Sequence, residues 1–343
     1  MGFLSDNFIS QFFVTIINWF YSWTGNYLIA VVLFTVLIKV LLMPLDIRSK
    51  RQQRKQQRIG PKVQAIQERY KHDQRLMSMK LQELYKKEDV KMTAGCLPTL
   101  LQMPVLFAMF GAIRAIADIQ TVEMVVGMAA DPTMMPPSFF WVKNIWQPDT
   151  GTAAVLPTLA SYTQLVGTTA SKLSPEMLQS ATVLVQNANL LSLHDVYTAL
   201  PADGFFAAMY QPAFNAITPE MLSAAQTFNF NAALQPAIER FGPDARNGLF
   251  IMPILAGLSM YASTKLVTSK QLAQNPAQQQ SAGSNMMMEI LMPVLIAYFA
   301  STTAMAFALY WVVTNLWTIV SNMFIDLIHK HDEKKLEEQE FGD

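Results

Sequence analysis

The chain has 343 residues, of which 52% are hydrophobic and 15% charged, against about 25% charged in a soluble globular protein. That excludes an ordinary soluble domain, and 25 Lys+Arg balanced by 25 Asp+Glu give no net charge to draw the whole chain to nucleic acid. The single cysteine, Cys96, excludes an internal disulfide framework and a Cys-rich zinc or iron–sulfur site.

The first apolar stretch, from Phe8 to Trp23, is short and aromatic-rich, with neither a basic start nor a small-residue cleavage site. An interfacial helix within residues 1–24 is therefore expected instead of a cleaved signal peptide, with an additional span as the competing reading. Crossing a bilayer core of about 30 Å takes about 20 mostly apolar residues. Five such spans are predicted. Tyr27 to Leu45 is apolar except for Thr35 and Lys39 and stops at Pro44. Leu97 to Ile116 follows, then Leu249 to Leu266. Met286 to Ile328 is too long for one span and is expected to turn back near Ser301-Thr302-Thr303.

Basic residues in short loops mark the cytoplasmic side. Between Asp46 and Thr93 lie 14 of the 25 Lys+Arg, against six acids; residues 120–247 hold only Lys143, Lys172, Arg240 and Arg246, against nine acids. The first loop is thus expected inside and the second outside, with the N-terminus outside and the C-terminus cytoplasmic. Within the basic loop (46–93), Val63, Ile66 and Tyr70, then Leu76, Met79 and Leu84, recur at helical spacing and predict a hairpin of two amphipathic helices. It is either a solvated pair whose charges orient the protein or a docking arm for something acidic such as ribosomal RNA. Residues 152–246 lack a run long enough to span and read as an external helical domain. Ser174-Pro175-Glu176-Met177-Leu178 and Thr218-Pro219-Glu220-Met221-Leu222 are two helix starts within it, and a duplicated unit is a further reading.

Polar residues inside the spans are the candidate site. Lysine at a helix centre costs roughly 2.5–3.5 kcal/mol on insertion scales. Lys39 lies seven residues before Asp46, with Thr35 one turn deeper on the same face. Snorkelling of its ammonium to the interface is the alternative that needs no function. Gln102 sits near the cytoplasmic end of the second span. In the last span Trp311, Asn315, Thr318 and Asn322 form a stripe that Thr314 and Ser321 widen. Such stripes either glue helices together or line a wet cavity open to the cytoplasm. The constellations of an enzyme are missing: the four histidines lie outside the spans, Ser259 and Ser263 have no intramembrane histidine, and no glycine loop cradles a phosphate.

Several stretches resemble the YidC family of membrane protein insertases. They are Gly25-Asn26-Tyr27 leading into TVLIKVLLMPL, the run IQERYKHDQRLMSMKLQELYKKEDV, Gly95-Cys96-Leu97-Pro98 with LLQMPVLFAMF, PSFFWVKNIWQPD, MPILAGLSMY and ALYWVVTNLWTIV, in the family's order. The resemblance implies an all-α polytopic membrane protein of five transmembrane helices, with a cytoplasmic helical hairpin and an inserted external helical domain. Its parts would be the first two spans with the hairpin (25–119), the external loop and insert (120–247), the last three spans (248–328) and a charged cytoplasmic tail (329–343).

The resemblance further implies a hydrophilic groove open to the cytoplasm and the lipid, lined by Lys39, where the family usually carries arginine, with Gln102, Trp311 and Asn315 in matched motifs. Thr35 and Thr314 join them from the pattern above. The implied partners are nascent membrane proteins and the lipid bilayer, with the ribosome, through the basic hairpin, and the Sec translocon as candidates. No cofactor, nucleotide or metal is called for, and the expected home is a bacterial plasma membrane. Two other classes stay open: a small-solute transporter or channel using the same stripe, and a scaffold built around the external domain. The stretch 152–246 replaces what is a short loop in the family, and the acid-rich tail departs from the basic tails of many relatives.

Overall fold

The computed structural model describes residues 8–89, 97–201, 204–274 and 287–340, which are almost entirely helical. Gly95 and Cys96, together with the side chains of Gln102, Lys270 and everything from Asp326 onward, lie outside the described residues. The chain divides into two units, residues 1–112 with 251–343, and residues 113–250.

In the first unit α1 (Phe8–Thr24) turns into α2 (Tyr27–Arg69) through two residues. Gly25 takes φ +62°, which favours glycine, and Asn26 caps α2 by accepting from the backbone N–H groups of Leu28 and Ile29. Tyr21 stacks on Tyr27 at 3.8 Å and Phe13 meets Phe34 edge-on at 4.9 Å. Position falls along α1 as it rises along α2, so the two helices run antiparallel. With 17 residues, α1 is shorter than the roughly 20 that a span needs.

Helix α2 does not stop at Pro44, as the sequence suggested, but runs 43 residues through Pro44 and Pro61. Proline removes one backbone donor and bends a helix. It need not end one that packs along α1, α10 and α12. The basic hairpin is consequently the far end of the first span's own helix, folded back at Tyr70–Asp73 into α3 (Gln74–Lys87). Asp73 caps α3 by accepting from the Leu76 N–H at 2.9 Å. Ion pairs Lys62–Glu88 (2.6 Å) and Lys55–Asp89 (3.0 Å) tie the arms together. The Lys62 hydrogen bond and charge hold the Glu88 carboxyl below its usual range.

The unit is completed by the start of α4 (Leu97–Ala130), α10 (Ile251–Gln274), a π-helical turn (Met287–Leu291) leading into α11 (Met292–Ser301), and α12 (Met305–Glu340). The chain reverses at Thr302–Ala304, where the sequence places the turn, with the Thr302 hydroxyl donating to the Phe299 carbonyl at 2.9 Å. Helices α10 and α11 approach so closely at Gly257 that a Cβ there would stand 3.0 Å from the Pro293 carbonyl oxygen, the small-residue contact typical of membrane helices. Among the described residues three stretches are long and apolar enough to cross a membrane, Tyr27–Gln52, Met103–Ala130 and Met305–Ile325, and Glu289–Ser301 is apolar but shorter.

The second unit begins within α4. The helix runs past Ile116, the end of the expected span, to Ala130, because Val122, Val125 and Met128 form a stripe that the insert buries. Against that stripe pack Tyr162 and Val166 of α5 (Leu159–Thr169), Leu184 and Ala188 of α6 (Pro175–Ala199), and Phe230 and Leu234 of α9 (Phe230–Phe241). The Tyr162 hydroxyl donates to the Val122 carbonyl at 3.5 Å, and burial pushes its pKa up. Helices α7 (Phe205–Asn215) and α8 (Pro219–Thr227) pack on α6. Both sequence-marked starts are realised, Ser174 accepting from the Met177 N–H and Thr218 from the Met221 N–H. The likeness ends at the caps, since α6 has 25 residues and α8 nine.

The neck of the insert is closed by three fully buried polar side chains, Asn144, Asp149 and Asn247. Asn247 accepts from the Asn144 N–H at 2.9 Å, and its amide donates to the carbonyls of Asn144, Gln147 and Pro148. Asp149 takes N–H donors from Leu249, Phe250 and the Trp141 indole, which is how a buried carboxylate escapes a large desolvation penalty. Gly248, at φ +76°, leaves no room for a side chain: a Cβ would fall 1.8 Å from Asp149 Oδ1.

Candidate functional site

The expected groove residues lie in the first unit, on α2 and α12, which pack against each other and both against α10. Alongside buried apolar residues such as Phe34 and Phe307, these helices bury several polar side chains and expose apolar ones. On α2, Thr35 and Lys39 are buried at 1% and 7% exposure, whereas neighbouring Val40 and Leu41 are exposed. On α12, Asn315 and Ser321 are buried while Leu316, Val320 and Met323 face outward. Apolar residues outward and polar residues inward is the pattern of a helix with lipid on one side and a polar interior on the other.

Most hydroxyls in this interior bond to their own helix. Thr35 Oγ1 donates to the Val31 carbonyl at 2.6 Å, Thr318 to Thr314, and Ser321 to Thr318. Asn315 Nδ2 reaches across to another helix, donating to Ser259 Oγ of α10 at 3.1 Å. Ser259 is a residue that sequence reasoning set aside for want of a histidine; its hydroxyl donates to the Ala256 carbonyl and accepts this amide. The indole N–H of Trp311 and the hydroxyl of Thr314 are buried with no hydrogen-bond partner among the described residues. The same holds for Trp317 Nε1, Asn322 Nδ2 and Gln52 Oε1. Trp317 and Gln52 escaped the sequence reading, although Trp317 stands six residues from Trp311, three from Thr314 and on the flank of the polar stripe.

Lys39 interacts electrostatically with Asp46 along α2. Lys39 as a whole residue is 7% exposed. Gln102 belongs to α4, but its side chain is among those not described. Among the described residues no group of three or more His, Cys, Asp or Glu side chains gathers into a metal-binding cluster.

Helices long and apolar enough to cross a membrane mark a helical membrane protein. The family described as 60Kd inner membrane protein matches residues 19–193 and 175–333, and the chain belongs to it. Among similar proteins, the membrane protein insertase YidC of Fusobacterium nucleatum is 33% identical over 109 residues, 32% of this chain and 53% of that protein. The membrane protein insertase YidC of Clostridium perfringens is 32% identical over 139 residues, 40% of this chain and 51% of that one. The protein of the same name from Granulibacter bethesdensis is 39% identical over 106 residues, 31% of this chain and 18% of its own length. The chain thus spans about half the length of the first two relatives and less of the third.

Proposed function

We propose that this protein is a membrane protein insertase. Five spans carry it, with the N-terminus outside, the 46–93 hairpin and the tail from 329 in the cytoplasm, residues 120–247 outside and the last three spans within 248–328. The interfacial reading of residues 1–24 belongs to the same proposal. Lys39, Thr35, Gln102, Trp311, Thr314 and Asn315 line a hydrophilic groove that receives a short polar external segment of a nascent membrane protein.

The observation that carries this reading is the pair of orphaned donors, Trp311 Nε1 and Thr314 Oγ1, on the helix packed against the one that buries Lys39. A buried polar atom without a partner costs about 1–3 kcal/mol. Water or the polar backbone of a client would satisfy these atoms and so be drawn into the interior. A cavity reaching part-way through the bilayer shortens the hydrocarbon path that a client's polar segment must cross. Lys39 attracts acidic residues in that segment, and the client's apolar helix then partitions into lipid by burial of its own side chains. The chemistry asks for no bond breaking, nucleotide or metal. The basic hairpin is the contact proposed for the ribosome, with the Sec translocon as a further partner.

The test is protease-protected insertion, in liposomes, of a small client with an acidic external segment. Wild type should insert it, Lys39→Ala should lower insertion about tenfold, the worth of one contact of roughly 1.4 kcal/mol, and Lys39→Arg should retain it. Equal insertion by Lys39→Ala would remove the charge from the mechanism. No insertion by wild type above empty liposomes would sink the insertase reading and send the test to solute flux.

A further inference from the structure

The neck of the second unit carries a feature that neither the groove nor the insert's core uses. Phe139 and Val142 exchange two backbone hydrogen bonds of 2.8 Å, which places Phe140 and Trp141 at the tip of a two-residue turn. Phe140 takes φ +48°, a conformation that bulky side chains rarely adopt. At 86% exposure it is the most exposed large apolar side chain among the described residues. Leu249, 66% exposed, and Phe250 are the last two residues before α10. Between the tip and this segment lies a cavity of about 540 Å³ lined by Trp141, Lys143, Thr150, Arg246, Gly248 and Leu249.

Two of the only four cations in residues 120–247 therefore stand at one cavity. Lys143 Nζ lies over the Phe241 ring and Arg246 donates to the Thr152 carbonyl, and among the described residues neither is in an ion pair. Asp149, the carboxylate of the neck, is fully buried and taken up by three N–H donors. Two cations, an amphipathic indole and outward apolar side chains beside the start of a span are the chemistry of a membrane–water boundary.

We infer that the neck cavity binds the phosphate of an anionic phospholipid of the outer leaflet, held by Lys143 and Arg246, with Phe140 and Leu249 entering the acyl boundary. This rests on the topology proposed above, in which residues 120–247 lie outside. Phosphate suits both cations, arginine as a planar fork and lysine as a point charge.

The test uses the full chain in vesicles with a headgroup-proximal photoreactive phosphatidylglycerol or phosphatidylcholine, with labelled peptides read by mass spectrometry. Labelling of peptides containing 139–143 and 246–250 should be about tenfold stronger with phosphatidylglycerol than with phosphatidylcholine, as expected of two cations near an anionic surface. It should fall to the phosphatidylcholine level in the double variant Lys143→Gln/Arg246→Gln. Labelling of α12 at Met323 and Phe324, exposed near the end of the last span, should be unchanged, which controls for folding. Phe140→Ser should weaken neck labelling by both lipids. Equal labelling by the two lipids, or indifference to the double variant, overturns the inference, and displacement by millimolar inorganic phosphate reassigns the cavity to a soluble anion. Probe confined to one leaflet separates the two readings. Neck labelling from the inner leaflet alone overturns the topology, whereas labelling of α12 with none at the neck from either leaflet overturns only the lipid site.

Discussion

One methyl group suffices to probe the neck. In Gly248→Ala the new Cβ collides with Asp149 Oδ1 and sits at a left-handed φ, so the expected loss is about 1–3 kcal/mol, seen as earlier thermal unfolding in detergent. Asp149→Ala should cost more, about 3 kcal/mol or above, because it strands the buried N–H groups of Trp141, Leu249 and Phe250 together. If Asp149→Ala melts like wild type, the carboxylate is not what closes the neck. The groove and the neck differ in how far they could be read in advance. Thr35, Lys39 and Asn315 stand out because a polar residue in an apolar run is rare and costly. Ser259 does not, since a lone serine in a span usually bonds to its own helix. Asn144, Asp149 and Asn247 were invisible because their partners lie up to 103 residues away in the chain, and no local pattern records a contact of that separation.

Helix boundaries were the least legible feature among the elements, and prolines account for part of the error. A proline forbids one hydrogen bond but says nothing about the neighbours that hold the helix together, so Pro44 reads as an end of the apolar run and lies inside α2. The end of α4 was missed for another reason: the burial of Val122, Val125 and Met128 is supplied by helices that begin 30 or more residues later. The hairpin between α2 and α3 was foreseen from its periodicity, and its pairing has a pH signature. The Glu88 carboxyl is depressed by Lys62, so its contribution to holding the arms together is complete above the pKa of the free side chain. It is lost as pH falls through the lowered value. Spin labels on the two arms should therefore keep one distance around neutral pH and spread only in acid below the ordinary glutamate range. Lys62→Glu should spread them at neutral pH, and an unchanged distance in that variant would mean that the ion pair does not hold the arms.

For the whole molecule, the insert behaves as part of the fold and not as a detachable decoration. Replacing residues 156–244 by a short Gly/Ser linker uncovers Val122, Val125 and Met128, each of which stands to lose about 1.5–3 kcal/mol of burial. The shortened protein should lose monodispersity in detergent, and polar substitutions at Val122 and Val125 should restore it. A well-behaved shortened protein without those substitutions would place that stretch of α4 in lipid. The continuity of α2 bears on the proposed work of the molecule. Lys39 and the tip of the basic hairpin are about 30 residues apart on one helix, some 45 Å of rod without an intervening loop. A partner seated on the hairpin would hold the handle of a lever that carries Lys39 along its other arm, with Pro44 and Pro61 as its two soft points, and a tilt imposed at the handle would be delivered to the lysine as a displacement.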